Sequence, residues 1–302
     1  MTVWSDCALL GVYTLSPTHY GTGQTTGAVD LPIARDVVTG FPVLPATGIK
    51  GVLRDHCDKA LGKDTDVLFG SAIGATDADE TQAGRLALTE ARLLAWPARS
   101  LSRPFLHVTC PLIIERLARD LRAMGGENLL AVPELPLHQV KRALVADQSL
   151  EGGILVLDDL IYEAAEVVHS PEAKTLAAAL ASLLPTAEAL TAQRLQNGLV
   201  VIPDEDFTAL MTTAVPVQAR ISLNEKKTTT GGVGNLWYEE YLPSDCLFVS
   251  FIGEKRNANS DVRLSRLDSA AEAFNVIQIG GNETVGHGLC LCTMRRGGGG
   301  AS

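Results

Sequence analysis

The stretch Thr18 to Asp36, THYGTGQTTGAVDLPIARD, holds one histidine, His19, and a carboxylate, Asp30, separated by a run rich in glycine, threonine and glutamine. An imidazole titrates near pH 6.5 and moves protons at neutral pH. A carboxylate can take up a proton or hold a hard cation through its oxygens. The plainer role of a lone histidine in a glycine loop is to make a hydrogen bond. Glycines free the chain from regular structure and give such a loop its reach toward a ligand.

Three further groups of residues could do chemistry. Gly280, Gly281, Gly286 and Gly288 form the loop GGNETVGHG, where backbone can approach backbone or a phosphate and offer free N–H groups. The loop is neither a Walker A loop nor a dinucleotide fingerprint, so by itself it reads first as a structural turn. In ATGIKGVLRD, Gly48 and Gly51 flank Lys50 at the start of a helix, with Arg54 one turn on. That combination suits an anion as well as it suits a capped surface helix. Third, Arg220, Lys226 and Lys227 precede LWYEEYLP, which gathers Trp237, Tyr238 and Tyr241 in a chain only 5% aromatic. An arm with aromatic and basic residues can insert between nucleotides, since every base has a π-face; for Trp237, core packing is the preferred reading.

These groups need elements to position them. Strand character runs over Cys7–Leu15, Leu86–Leu94, Leu199–Ile202, Cys246–Ile252, Val276–Ile279 and the segment after Gly288, and Ile154–Val167 is β-like. Leu44 to Leu61 reads as a loop leading into a helix with Thr47 as N-cap; helices are predicted over Pro111–Met124 and Ala173–Leu184, a helical turn or two over Asp204–Thr212, and an amphipathic helix over Val262–Phe274. Val215–Leu223 and Leu236–Leu242 read as a long hairpin with a polar tip. Strands and helices mixed without βαβα alternation predict an α+β fold. Residues 1–296 read as one domain with insertions, the hairpin spanning about 214–243, and GGGGAS at 297–302 as a flexible tail.

Composition bounds the rest. The chain has 302 residues, 46% of them hydrophobic, enough for a full core. The net charge of −10 is unevenly spread: seven acids and no lysine or arginine lie between Asp147 and Glu172, and six arginines between Arg92 and Arg122. A bipolar molecule with an acidic and a mildly basic face is expected. Arg116, Arg119 and Arg122 recur at threes along one helix side, as either a solvated face or a contact surface. The six cysteines lack C-x-x-C or zinc spacing, and Cys290 and Cys292 read as buried thiols. A reduced, cytoplasmic protein without a membrane span is expected.

The opening loop, the Lys50 helix start, LFG at Leu68–Gly70, LWYEEYLP and IQIGGNETVGHGL stand in an order that resembles the RAMP superfamily of CRISPR proteins. Within it the likeness is to the backbone subunit of the type III-B (Cmr) effector complex, and it spans Leu15 to Leu289. The resemblance implies a modified ferredoxin-like (RRM-type) palm with insertions and a hairpin thumb. It implies copies stacked as a filament along a CRISPR guide RNA, beside other subunits of the complex, with complementary target RNA cut at regular intervals. Asp30 would then bear the acid for cleavage dependent on Mg²⁺ or Mn²⁺, with His19, Glu239 and Tyr241 near the scissile phosphate. Gly48, Lys50, Gly51, Arg54, Arg220, Lys226, Lys227, Gly280, Gly281, Gly286, His287 and Gly288 would contact RNA. The family's usual Ser-Ser/Ser-x-Lys-Gly is here Thr47-Gly48-Ile49-Lys50-Gly51, so Lys50 is kept and a hydroxyl is not.

On this view a 2′-OH attacks its own phosphate once the thumb has splayed the nucleotide. The acid holds a hydrated cation whose shell the RNA completes, or takes the 2′-OH proton, and His19 protonates the leaving 5′-oxygen. Glycine-loop amides and a few cations bind a guide backbone without a basic protein. The alternatives are a non-catalytic guide-binding scaffold, a guide-processing endoribonuclease acting alone, and a small-molecule phosphate enzyme.

Overall fold

The computed structural model describes residues 3–71, 82–135, 142–223, 225–226, 228, 235–256 and 261–296. β1 (Asp6–Thr14) is buried on both faces after its first residue, as the apolar run DCALLGVYT requires. β2 (Val43–Leu44) leads into α1 (Ala46–Leu61) and the short α2 (Asp64–Phe69). β3 (Leu86–Leu88), β4 (Ala91–Arg99) and β5 (Phe105–Thr109) precede α3 (Pro111–Met124). β6 (Ala143–Val145), the small hairpin β7 (Leu155–Leu157) and β8 (Leu160–Tyr162), and β9 (Val167–His169) follow. Next come α4 (Pro171–Ala181), α5 (Ala189–Gly198), β10 (Leu199–Val201) and α6 (Asp204–Thr213). The arm is β11 (Val217–Ile221) and β12 (Leu236–Glu240). β13 (Leu247–Glu254), a 3₁₀ segment (Leu264–Phe274), β14 (Val276–Gln278) and β15 (Leu289–Arg296) complete the fold.

Eleven strands form one mixed sheet in the order β14-β15-β1-β13-β4-β5-β10-β6-β9, with β2 on β4 and β3 on β13. The β5–β10 and β6–β9 pairs are parallel, and the architecture is α+β as expected. β1 sits between β13 and β15 with register Leu9↔Phe251 and Leu9↔Arg295. The terminal glycine loop is thereby brought beside the segment that follows β1.

Helices cover the sheet through periodic stripes. In α1, Ile49, Leu53, Cys57 and Leu61 recur every four residues and are buried. In α3, Ile113, Leu117 and Leu121 do the same beside buried Ile114, Pro111 opens the helix and left-handed Gly125 closes it. Each such side chain contributes about 2 kcal/mol by leaving water.

Several expectations change. α1 begins at Ala46 with Pro45 at its N-cap, so Thr47 lies inside the first turn. The amphipathic stretch 262–274 is 3₁₀ rather than α: Leu264, Leu267 and Ala270 are buried at a spacing of three, the repeat of that helix. The bipolar charge picture also gives way. Arg99 pairs with Asp158 at 2.6 Å and Arg103 with Asp147 at 2.5 Å, so the arginine-rich and acid-rich stretches adjoin at these pairs. On α3, Arg116 holds Asp36 at 3.3 Å and Arg119 its neighbour Asp120 at 2.9 Å. All six cysteines are free and buried. No helix among the described residues is long and apolar enough to cross a membrane.

Candidate active site

The loop carrying Asp30 closes at its neck. Tyr20 C=O accepts the Ala34 N–H at 2.8 Å, and Gly21 bridges Ile33. Its far end folds on itself, with the Thr25 N–H donating to the Asp30 carbonyl at 2.9 Å.

The loop is fastened to the arm along the edge of β12 that β11 leaves open. Asp30 Oδ2 accepts the Tyr238 N–H at 2.8 Å. The Leu31 N–H donates to the Tyr238 carbonyl, and Leu31 C=O accepts the Glu240 N–H, each at 3.0 Å. The Glu240 carbonyl then receives His19 Nδ1 at 2.7 Å. A carbonyl only accepts, so Nδ1 carries the hydrogen and Nε2 is the atom left to gain or lose a proton. A Cβ on Gly21 would stand 2.4 Å from that Nε2, so a glycine keeps it open. Asp30 Oδ1 has no hydrogen-bond partner among the described residues. The Glu240 side chain ties the same region down, accepting from the Ile33 N–H at 3.1 Å and pairing with Arg35 at 3.3 Å.

Glu239 points the other way. In the β11–β12 register, Gln218 faces Glu239 and Arg220 faces Trp237, so Arg220 and Glu239 share one face of the arm. Glu239 is 3% exposed. Its carboxylate lies 2.6 Å from Arg220 Nε and 3.4 Å from His19 Nδ1, and accepts from the Asn282 side-chain amide. The Arg220 contact is a charge pair, not an aligned hydrogen bond, since Nε has no hydrogen-bond partner. The arm's opposite face is apolar and exposed, with Val217, Ile221, Leu236 and Tyr238. Trp237 is only half-buried, against the core reading.

The glycine loop meets the same cluster. Gly281 bridges His19 and donates to its carbonyl at 2.9 Å, and Gly288 donates to Pro17 C=O at 2.9 Å. Gly286 donates to Glu283 C=O, also at 2.9 Å. Three of the four glycine N–H groups are therefore spent on backbone, in keeping with the structural turn that the loop by itself suggests. His287 stacks obliquely on Tyr241, ring centroids 6.2 Å apart, and its Nδ1 is buried without a hydrogen-bond partner. Burial, helped by Arg220 and His19 and opposed by Glu239, pushes its pKa down.

The helix-start residues lie apart from these contacts. Lys50 Nζ donates to the Leu86 carbonyl at 3.2 Å, and burial with nearby Lys255 lowers its pKa. Arg54 is paired with Asp66 and donates to Gly70 C=O at 3.3 Å, which explains the LFG segment structurally. A Cβ on Gly48 would strike the Tyr20 phenol, while Gly51 faces open space. Lys226 lies exposed in the turn of the arm, and Lys227 falls outside the described residues. No group of three or more His, Cys, Asp or Glu among the described residues could hold a metal ion.

A family model for the RAMP superfamily matches residues 12–291. The chain belongs to the RAMP superfamily. It is 33% identical over 294 residues, 95% of each chain, to the CRISPR system Cmr endoribonuclease Cmr4 of Pyrococcus furiosus. It is 22% identical over 280 residues to the CRISPR system CMR subunit Cmr4 of Saccharolobus solfataricus, covering 86% of this chain and 87% of that one. The crystal structure of oligomeric Cmr4 from Pyrococcus furiosus superposes with a TM-score of 0.71 at 28% identity, over 96% of this chain and 98% of that one. A chain of the type III-B Cmr-beta complex bound to cognate target RNA shares the fold, with a TM-score of 0.73 at 19% identity over 97% and 98%.

Asp30, His19, Glu239 and Tyr241, singled out by the sequence and its resemblance, lie around β12 in the fold. Tyr20, Arg35, Glu240 and Asn282 join them without being singled out there. Glu240 and Asn282 are polar neighbours within LWYEEYLP and GGNETVGHG, but Tyr20 carries no signal.

Proposed function

We propose that this chain is a guide-RNA-binding filament subunit of a type III-B CRISPR ribonucleoprotein that cuts complementary target RNA at regular intervals in antiviral defence. One observation carries the reading: Asp30 and His19 are fastened to the same edge of β12, at anchors two residues apart. At the rise of a strand those anchors are about 7 Å apart. The extended identity to an endoribonuclease supports it.

In the cleavage step the 2′-oxygen attacks the adjacent phosphorus as its proton leaves. The bond to the 5′-oxygen breaks, that oxygen takes a proton, and a 2′,3′-cyclic phosphate remains. Asp30, its Oδ2 fixed by Tyr238, offers Oδ1 to the 2′-OH proton or to a cation. His19 delivers a proton to the 5′-oxygen from Nε2, its ring held at Nδ1. Glu239 fixes the imidazole and the arm, and Tyr241 packs against His287 beside them. The β11–β12 arm serves as the thumb of an RRM-type palm, its apolar face set against bases so that one nucleotide is splayed toward in-line geometry.

Among the described residues Asp30 would be this chain's single ligand to Mg²⁺ or Mn²⁺, with RNA phosphates and water completing the shell. Asp30 supplies one free carboxylate oxygen, and Mg²⁺ is commonly held by one or two carboxylates with substrate phosphates and water. When bound, the cation would offset charge on the attacked phosphate.

The deciding experiment is target-RNA cleavage by the reconstituted complex, wild type against Asp30→Ala, with and without EDTA, with target binding followed in parallel. Regularly spaced cuts that vanish in the variant and with chelator while binding persists support the nuclease. Unchanged cuts in Asp30→Ala make the chain a guide-binding scaffold.

A further inference from the structure

Tyr20 joins three parts of the site. Its carbonyl closes the neck of the Asp30 loop on Ala34. Its backbone neighbour is His19. Its phenol lies at the start of α1, donating to the Pro45 carbonyl at 3.2 Å, with the Gly48 backbone and the Thr47 side chain close by. Burial raises the phenol pKa, and Gly48 and Thr47 oppose the rise.

The first N–H groups of a helix have no partners within it, and the N-cap of α1 is Pro45, which makes no side-chain cap. The phenol packs over this first turn and is tied to it through the Pro45 carbonyl. Gly48 fits this arrangement. Its backbone is helical and its φ is not positive, so conformation does not require glycine, and glycine in a helix costs about 1 kcal/mol relative to alanine. Space does require it: a Cβ there would lie 1.7 Å from Tyr20 Oη and 2.6 Å from Cζ.

We propose that Tyr20 is a positioning residue that locks the Asp30 loop and His19 onto the N-terminus of α1, and that Gly48 is the space its phenol occupies. This rests on the nuclease reading above.

The test uses the reconstituted complex and three variants: Tyr20→Phe, Gly48→Ser, and Gly48→Ser combined with Tyr20→Leu. Tyr20→Phe keeps the ring and loses the hydroxyl; single-turnover cleavage is expected to fall roughly tenfold with target binding unchanged, as misplacement of reacting groups by a fraction of an ångström predicts. Gly48→Ser alone collides with the phenol and is expected to lose on the order of a hundredfold. Adding Tyr20→Leu removes the collision, so the double variant is expected to cut faster than Gly48→Ser. Amide hydrogen exchange at Ala34, whose N–H the Tyr20 carbonyl holds, is read on the same complexes and is expected to accelerate in Tyr20→Phe. Wild-type cleavage and exchange in Tyr20→Phe, or Gly48→Ser equally harmful with and without Tyr20→Leu, overturns the proposal. Persistent cutting by Asp30→Ala sinks the nuclease reading alone, because the exchange measurement reports the Tyr20 lock whether or not the chain cuts.

Discussion

His19 Nδ1 meets the Glu240 carbonyl at 2.7 Å, and as the acceptor has no hydrogen to give, the ring is a donor there in both protonation states. Holding the ring and moving a proton are thereby assigned to different nitrogens. His19→Asn keeps an amide N–H near the Nδ1 position and removes Nε2. It is expected to leave assembly and target binding intact while lowering single-turnover cleavage by about 10²- to 10⁴-fold, the usual worth of a positioned acid or base. Wild-type cleavage by His19→Asn would show that the imidazole only anchors the loop.

Glu239 is the carboxylate on which the arm, the glycine loop and His19 converge, and it is almost fully buried. Removing one partner of such a pair strands the other, at a cost of about 3–5 kcal/mol when both are well buried; Arg220, 20% exposed, places this pair toward the lower end. Glu239→Ala is expected to lower the unfolding free energy by about 2–3 kcal/mol. Glu239→Leu with Arg220→Met should recover much of the loss. Urea unfolding of the four chains of that cycle measures the coupling, and additive losses would show that the pair is not a unit.

Acid should act on the fold in two stages. His107 is wholly buried against the rings of Tyr13 and Phe105, and burial pushes its pKa down to about 4, against the pull of Asp245. An unfolded histidine titrates near 6.5. Between those values the unfolded chain gains a proton that the folded chain refuses, so stability falls as pH drops through this window, by about 3 kcal/mol. Glu254 is also buried; burial alone would raise its pKa, but the Leu264 N–H, Arg263 and Arg85 together hold it below the ordinary 4.5. Its contribution is full above 4.5 and is lost as pH falls through the depressed value. Melting curves from pH 7 to pH 3 should show both stages, His107→Gln abolishing the first and Glu254→Gln diminishing the second, to which Asp36 and Asp147, also held below their ordinary pKa, contribute. A His107→Gln profile that still falls between pH 6.5 and 4 would count against this assignment.

What the sequence disclosed follows from where the information is local. α3 is read to the residue because proline opens it, glycine closes it and its stripe has helical period. The arm is legible because its strands alternate. β5 and β6 are missed because short strands enclosed by the sheet show no alternation, and α5 because it buries only Leu195 and Gly198. Leu86–Leu94 reads as one strand yet breaks at Thr89 and Glu90, where the pairing with β13 slips by one residue between Leu88↔Ile252 and Arg92↔Val249. At the site, residue type and resemblance single out Asp30 and His19. Their anchors do not show, because Tyr238 N–H and Glu240 C=O are backbone groups that every residue carries. The Tyr20–Gly48 contact joins residues 28 positions apart in a geometry that only the packed helix creates.

The glycine loop gives a graded test of structural turn against RNA contact. Gly280 and Gly286 both have positive φ, 87° and 81°, so alanine at either position suffers the left-handed penalty of about 1 kcal/mol. Only at Gly280 does a Cβ also meet backbone, lying 2.3 Å from the His19 carbonyl oxygen, while at Gly286 it meets open space. Gly286→Ala is expected to lose about 1 kcal/mol of stability and to bind guide RNA as wild type does. Gly280→Ala must push the loop off His19 and is expected to lose roughly 2–3 kcal/mol or more, with cleavage falling along with it. Thermal unfolding alongside guide binding separates the two variants. Equal losses in stability at both positions would mean that the loop's approach to His19 is not what fixes it, and weakened guide binding by Gly286→Ala alone would return that end of the loop to the RNA.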